Sequence, residues 1–69
     1  MEKIKINTDY IKLNQLLKWA NIADSGAMAN HMITDGLVRV NGEKELRKGK
    51  KIYPGDQVDI AQVGSFLVE

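Results

Sequence analysis

The sequence predicts an α+β fold, in which two helices pack on a small, twisted and mostly antiparallel sheet. Apolar residues recur at helical spacing from Ile11 to about Asp35, with one polar break between two such segments. The segments on either side of this region alternate between apolar and polar residues, as half-buried strands do. The chain has 69 residues, so we expect a single domain, residues 1–69, with a thin core.

The first half of the chain predicts one strand followed by two helices. Residues 3–6 read KIKI, which alternates as a strand does. The first helix begins near Ile11, and its buried stripe is predicted to consist of Leu13, Leu16, Leu17 and Ala20. The second helix is capped by Asp24 or Ser25, because either side chain can accept a bond from a free backbone N–H. It closes at Gly36, which tolerates a positive φ. Its buried side is predicted to be Met28, Ala29, Met32 and Ile33.

The second half predicts short strands joined by tight turns. LVRV alternates so that Val38 and Val40 face the core and Arg39 faces away from it. Asn41–Gly42 is a strong hairpin signal, because both residues tolerate positive φ, and EKEL returns as a short strand. RKGKK then forms a loop and Pro54–Gly55 forms a turn. QVDI and VGSFLVE are predicted to be the last two strands.

Positive charge is concentrated in one part of a nearly neutral chain. The whole sequence has ten Lys and Arg against nine Asp and Glu. Residues 37–52 hold six of these cations against Glu43 and Glu45, which is a local charge of +4. A solvated face explains such a cluster as well as an anionic partner does. The cluster alone therefore leaves both explanations open.

Composition argues against several classes of protein. The chain has no cysteine and a single histidine, His31, so we expect no disulfide, no metal site and no cofactor. No apolar run approaches the ~20 residues that span a bilayer, and the first ten residues lack the apolar stretch of a signal peptide. We therefore expect a cytoplasmic protein that does not contact membranes. No nucleophile has an evident base and no phosphate-binding glycine loop is present, so we expect no enzymatic activity.

Four stretches of the sequence, KLNQLL, DSGAMANHMI, GLVRVNG and PGD, resemble the S4 RNA-binding domain. They cover roughly Ile11 to Ile60, and the combination is specific although VNG or PGD alone is weak. The chain resembles in particular the short, stand-alone bacterial members of this family, which associate with ribosomes. The resemblance implies a pair of helices on a twisted sheet, with RNA held by the helices and the neighbouring strand and turn.

The resemblance also carries over to individual positions. The matching residues are Lys12 and Asn14 in the first motif, Ser25 and Gly26 at the start of the second helix, and Asn41 and Gly42 in the turn. Larger S4 proteins usually have basic residues at the positions of Gly26 and Asn30, so two RNA-contacting cations are missing here. The cations of residues 44–51 are expected to compensate for them.

Together, the motifs and the charge cluster predict a site for structured RNA. The predicted RNA-binding residues are Lys12, Asn14, Ser25, Gly26, Asn30, Arg39, Asn41, Gly42, Lys44, Arg47, Lys48, Lys50 and Lys51. Lysines pair with phosphates and release counterions, Arg39 can grip a phosphate with its planar fork, and Ser25 lies at a helix start. Double-stranded RNA is read through its backbone and shape, so we expect a folded RNA. The resemblance implies ribosomal RNA and the ribosomal subunit as partners, and we expect a monomer.

Structural roles compete with several of these assignments. Asn14 could bond a neighbouring loop, and Asn41 is primarily a turn residue. Trp19 and Tyr53 could stack on bases, but two scattered aromatic residues favour packing. The second helix has a small polar strip that consists of Gly26, Asn30 and Thr34. This strip could allow a nucleic-acid backbone to come close, or it could pack against the first helix.

Two other functions compete with RNA binding. A protein-docking module would use the basic face for an acidic partner, and that partner would survive nuclease treatment. RNA binding instead predicts a steep loss of affinity with salt. A small sulfur carrier needs a flexible C-terminal Gly-Gly, and the ending SFLVE argues against this function. Charge alone does not distinguish RNA from DNA.

Overall fold

The computed structural model describes residues 1–69 and contains two helices and seven short strands. In chain order the elements are β1 Glu2–Ile4, β2 Ile11–Lys12, α1 Leu13–Trp19, α2 Gly26–Thr34, β3 Val38–Val40, β4 Glu43–Lys44, β5 Lys51–Ile52, β6 Gln57–Ile60 and β7 Gly64–Val68. The predicted α+β class with a mostly antiparallel sheet is confirmed. Neither helix has the length and apolar character that crossing a bilayer would require.

The strands form one main sheet and one small ribbon. The main sheet has the order β1-β7-β6-β3-β4, in which only the β1–β7 pair is parallel. Strands β3 and β6 pair Val38 with Ile60 and Val40 with Val58. These four side chains point into the core that the helices cover, because alternate residues share one face of a strand. The separate ribbon consists of β2 and β5.

The core contains only apolar side chains. Fifteen residues are buried, and none of them is polar or charged. Helix α1 contributes Leu13, Leu16 and Leu17, all fully buried as predicted. Burying a leucine side chain stabilises the fold by about 1.5–3 kcal/mol. These three residues therefore fix α1 on the sheet, and α1 in turn positions the residues around its first turn.

The predicted caps and turns are confirmed. Ser25 precedes α2, and its Oγ accepts a hydrogen bond from the Met28 N–H at 3.1 Å. Gly36 follows α2 with φ of 78°, the left-handed conformation that closes many helices. Asn41 and Gly42 have φ of 52° and 87°, as a type I′ hairpin turn requires.

Two predictions about the helices were wrong. Ile11 and Lys12 do not begin α1, because they form strand β2 and pair with β5. Met28 does not belong to the core and is 46% exposed. The buried stripe of α2 is centred between Ala29 and Ile33, and Met28 lies about 120° around the helix from that centre.

Two strands were placed with wrong limits. KIKI was predicted as a strand over residues 3–6, whereas β1 is Glu2–Ile4. EKEL contributes only Glu43–Lys44 to β4. The predicted RKGKK loop is shorter than expected, because its last residue, Lys51, opens β5.

Candidate nucleic-acid interface

The basic loop of residues 45–50 is docked on the first turn of α1 through its main chain. The Leu13 N–H donates to the Lys50 carbonyl at 2.8 Å, and the Asn14 N–H donates to the Lys48 carbonyl at 3.0 Å. These are two of the free N–H groups that every helix start must satisfy, and no side chain caps α1. Because the loop caps α1 with carbonyl groups, the lysine side chains remain available for a ligand.

The β2–β5 ribbon adds two more lysines beside this loop. Lys12 pairs with Lys51 and Ile11 pairs with Ile52. Ile52 is fully buried, so the two lysines on the opposite face of the ribbon point to solvent. We call the set Lys12, Lys48, Lys50 and Lys51 the basic edge.

Arg47 lies in the same loop, but its charge is already compensated within the protein. Its Nε and Nη2 donate to the two carboxylate oxygens of Glu45 at 2.9 and 3.2 Å, and its backbone N–H adds a third bond at 3.0 Å. The side-chain hydrogen bond from Arg47 lowers the pKa of Glu45 below its ordinary value, so the pair is fully ionised at neutral pH. The Arg47 side chain is 73% exposed, so the pair adds little to stability.

Two residues of the small polar strip of α2, Gly26 and Asn30, lie against α1. Asn14 Nδ2 donates to Asn30 Oδ1 at 3.2 Å, across the two helices. A Cβ atom on Gly26 would lie 3.9 Å from Lys18 Cδ, so the start of α2 is close to the end of α1. Asn14 Oδ1 is buried and has no hydrogen-bond partner. The side chain of Asn14 thus bonds the second helix, while its backbone bonds the basic loop.

Asn41 ties the VNG turn to the PGD turn. Its Nδ2 donates to Asp56 Oδ1 at 3.1 Å, and its Oδ1 accepts from the Gln57 N–H at 2.9 Å. Asp56 Oδ2 accepts in turn from the Tyr53 N–H at 2.8 Å. Both ends of the Asn41 amide are therefore engaged within the protein. A Cβ atom on Gly42 would meet nothing within 4 Å, so the tip of the turn is open.

Arg39 and Lys44 lie together on the face of the main sheet that is turned away from the helices. They are cross-strand neighbours, and Arg39 is also opposite Asp59. Hydrogen bonds from the Gln57 amide and the Ser65 hydroxyl lower the pKa of Asp59, and the charge of Arg39 lowers it further. The predicted residues therefore divide among the basic edge, the helix pair with its cap, and the outer sheet face with its turn.

The exposed aromatic residues differ from expectation. Trp19 and Tyr53 each contact a neighbour, but they remain 56% and 48% exposed. The Trp19 Nε1–H donates to the Lys5 carbonyl at 3.0 Å, and the Tyr53 ring lies 5.7 Å from the Tyr10 ring between centroids. Tyr10 was not among the predicted site residues. The sequence does contain a signal for it, because Tyr-Ile-Lys at residues 10–12 is the reverse of Lys-Ile-Tyr at residues 51–53.

Comparisons with known proteins agree with this architecture. The family model described as the S4 domain matches residues 4–69. A Bacillus subtilis (strain 168) protein named "Probable ribosome maturation protein RlbA" is 45% identical over 65 residues, which cover 94% of this chain and 92% of that protein. An Escherichia coli (strain K12) protein named "Putative RNA-binding protein YbcJ" is 40% identical over 52 residues, which cover 75% of this chain and 74% of that protein. The chain therefore belongs to the S4 domain family.

Proposed function

We propose that this protein binds structured RNA, specifically ribosomal RNA, and acts in ribosome maturation. The observation that carries the proposal is the basic edge, in which the Lys48 and Lys50 carbonyls cap α1 and none of the four lysine side chains forms a salt bridge. The names of the two relatives, a ribosome maturation protein and an RNA-binding protein, support the same function.

The basic edge supplies the main contacts with phosphates. Each lysine that neutralises a phosphate releases condensed counterions, and this release drives binding. Asn14 joins this edge to the helix pair, so the RNA backbone would pass from the lysines towards Ser25, Gly26 and Asn30. Arg39 and Lys44 lie on the opposite face of the main sheet. These two residues and the Asn41–Gly42 turn would contact the RNA only if it continued around the edge of the sheet.

The proposed role is one of binding rather than chemistry. The protein would act as a monomeric, single-domain module, residues 1–69, in the cytoplasm, where it would contact ribosomal RNA within a subunit or its precursor. Recognition would depend on backbone geometry and 2′-hydroxyl groups, as is usual for helical RNA. A folded RNA should therefore bind more tightly than an unstructured strand of equal length.

A double charge reversal tests the proposal. Lys48→Glu with Lys51→Glu should abolish binding to ribosomal RNA fragments in a fluorescence anisotropy titration. The melting temperature should change little, because both side chains are exposed and the capping bonds use backbone carbonyls. The matched control is Lys3→Glu with Lys5→Glu, which changes the net charge equally at the β1 end of the chain. Unaltered RNA affinity in the folded Lys48/Lys51 variant would contradict the proposal.

Crosslinking in cells, followed by sequencing of the bound RNA, distinguishes RNA binding from protein docking. Crosslinks focused on one region of ribosomal RNA would support the proposal and locate the site. Crosslinks at background level, together with one acidic protein partner that survives nuclease treatment, would show that the basic edge serves protein docking instead.

A further inference from the structure

The outer face of the β2–β5 ribbon carries two tyrosines and two lysines. The register Ile11–Ile52 and Lys12–Lys51 also places Tyr10 opposite Tyr53. Alternate residues of a strand share a face, so both tyrosines and both lysines lie opposite the isoleucines. We call Tyr10, Lys12, Lys51 and Tyr53 the tyrosine–lysine face.

The two lysines of this face form no ion pair with a carboxylate of the protein. Like charges directly opposite each other on paired strands are destabilising. Neither Lys12 nor Lys51 has a carboxylate within 4.0 Å, since the only ion pair of the protein joins Arg47 and Glu45. Lys51 Nζ lies 5.0 Å from the centre of the Tyr10 ring, which is a cation–π contact rather than an ion pair. The lysine pair is therefore suited to an anion that binds from solvent.

The tyrosines are exposed next to this pair of lysines. Tyr53 is 48% exposed and Tyr10 is 39% exposed. A shallow groove of about 540 Å³ runs beside Tyr53 and is lined by Arg47, Gly49, Lys50 and Lys51 as well. An exposed aromatic ring beside cations is the combination that proteins use to hold single-stranded nucleotides, with bases stacked on the rings and phosphates on the cations.

We propose that the tyrosine–lysine face binds an unpaired nucleotide of the RNA. The base stacks on the Tyr53 ring, supported by Tyr10, and the adjoining phosphates pair with Lys12 and Lys51. The proposal rests on the proposed RNA-binding function and deepens it, because it assigns a bulged or splayed-out nucleotide to the target. A base inside a duplex is stacked on its neighbours and cannot offer its face to the ring. Every base has a π-face, so the site should accept any of the four bases.

The test compares two RNA hairpins that differ only in one bulged nucleotide, and a non-nucleotide linker closes both, so that neither offers unpaired loop bases. The bulge carries 2-aminopurine, whose fluorescence falls when it stacks. The wild-type protein should bind the bulged hairpin more tightly and should quench its fluorescence. Tyr53→Leu should lower affinity for the bulged hairpin by about 5- to 140-fold and should leave the fully paired hairpin unaffected. Tyr53→Phe keeps the aromatic ring and should retain both the preference and the quenching.

The outcomes separate this inference from the function on which it rests. One outcome is that the wild type binds both hairpins equally and without quenching, while the Lys48/Lys51 variant loses binding. This outcome would overturn the nucleotide site and leave the RNA-binding proposal intact. Binding of neither hairpin by the wild type would contradict both proposals. Absence of quenching in the wild type needs no variant and would overturn the nucleotide site, so the proposal stays testable even if Tyr53→Leu is poorly folded.

Discussion

Arg47 and Lys48 are adjacent cations in one loop, yet the structure predicts different contributions to RNA affinity. Glu45 holds the Arg47 guanidinium through two hydrogen bonds, whereas no carboxylate lies within 4.0 Å of Lys48. A cation that already neutralises a carboxylate must give up that ion pair to neutralise a phosphate, so its contribution to counterion release from RNA should be smaller. Lys48→Ala should therefore weaken the salt dependence of binding, and Arg47→Ala should change it much less.

The size of the effect follows from the number of free lysines. Each phosphate contact contributes about 0.7–0.9 to the slope of log affinity against log salt. With four contacts from the basic edge, the wild-type slope should be about −3, so a rise from 50 to 200 mM salt should reduce affinity by about 60-fold. Lys48→Ala should make the slope shallower by about 0.7–0.9. Arg47→Ala should make it shallower by only a small part of that amount.

Anisotropy titrations of one labelled RNA between 50 and 200 mM salt would measure these slopes. Glu45→Gln is the matched control, because it frees Arg47 without moving a basic side chain and should steepen the slope by up to one phosphate contact. If Arg47→Ala flattens the slope as much as Lys48→Ala does, the reasoning is refuted, because Arg47 would then leave Glu45 for a phosphate.

Three further predictions concern stability, with melting temperature as the measurement. Gly42→Ala forces a positive φ of 87° on a residue with a Cβ, so it should cost about 1–2 kcal/mol and lower the melting temperature by at least about 4 °C. Gly49→Ala is the control, because Gly49 lies in open space and has no positive φ. This substitution should leave the melting temperature unchanged or raise it. Ser25→Ala removes the cap of α2 and should cost about 1 kcal/mol; no change would mean that the cap is dispensable. The pKa values of Glu45 and Asp59 are lowered in the folded protein from the ordinary values of 4.5 and 3.8. The contribution of the two carboxylates to stability is therefore fully present above these ordinary values. The melting temperature should be constant from pH 7 to about 5 and should fall as pH drops through the folded values, by a small amount because solvent screens these exposed interactions. A constant melting temperature down to pH 3 in the wild type would contradict this.

The sequence predicted those parts of the fold that have strong local signals. Ser25, Gly36 and the Asn41–Gly42 turn each meet a local backbone requirement, so their roles can be identified without knowledge of the rest of the chain. The β2–β5 ribbon was missed because two-residue strands are too short to show a period. Only long-range pairing of residues 11–12 with 51–52 creates it.

The candidate site was predictable in composition but not in arrangement. Charge counting identified the cations of residues 44–51, but the sheet register decides that Lys44 faces away from the helices while Lys51 joins the basic edge. The same counting gave Arg47 and Lys48 equal weight. The pairing of Arg47 with Glu45 depends on the shape of the loop, which residue spacing does not reveal.

The capping of α1 by loop carbonyls has a consequence for how this protein can change. Main-chain groups hold the loop at Leu13 and Asn14, so the side chains at positions 48 and 50 do not support the helix. Substitution at these two positions can raise or lower the affinity for a polyanion while the stability of the fold is kept. Insertion or deletion in the same loop would instead displace the carbonyls and unravel the start of the helix. The loop should therefore tolerate many sequences but only one length.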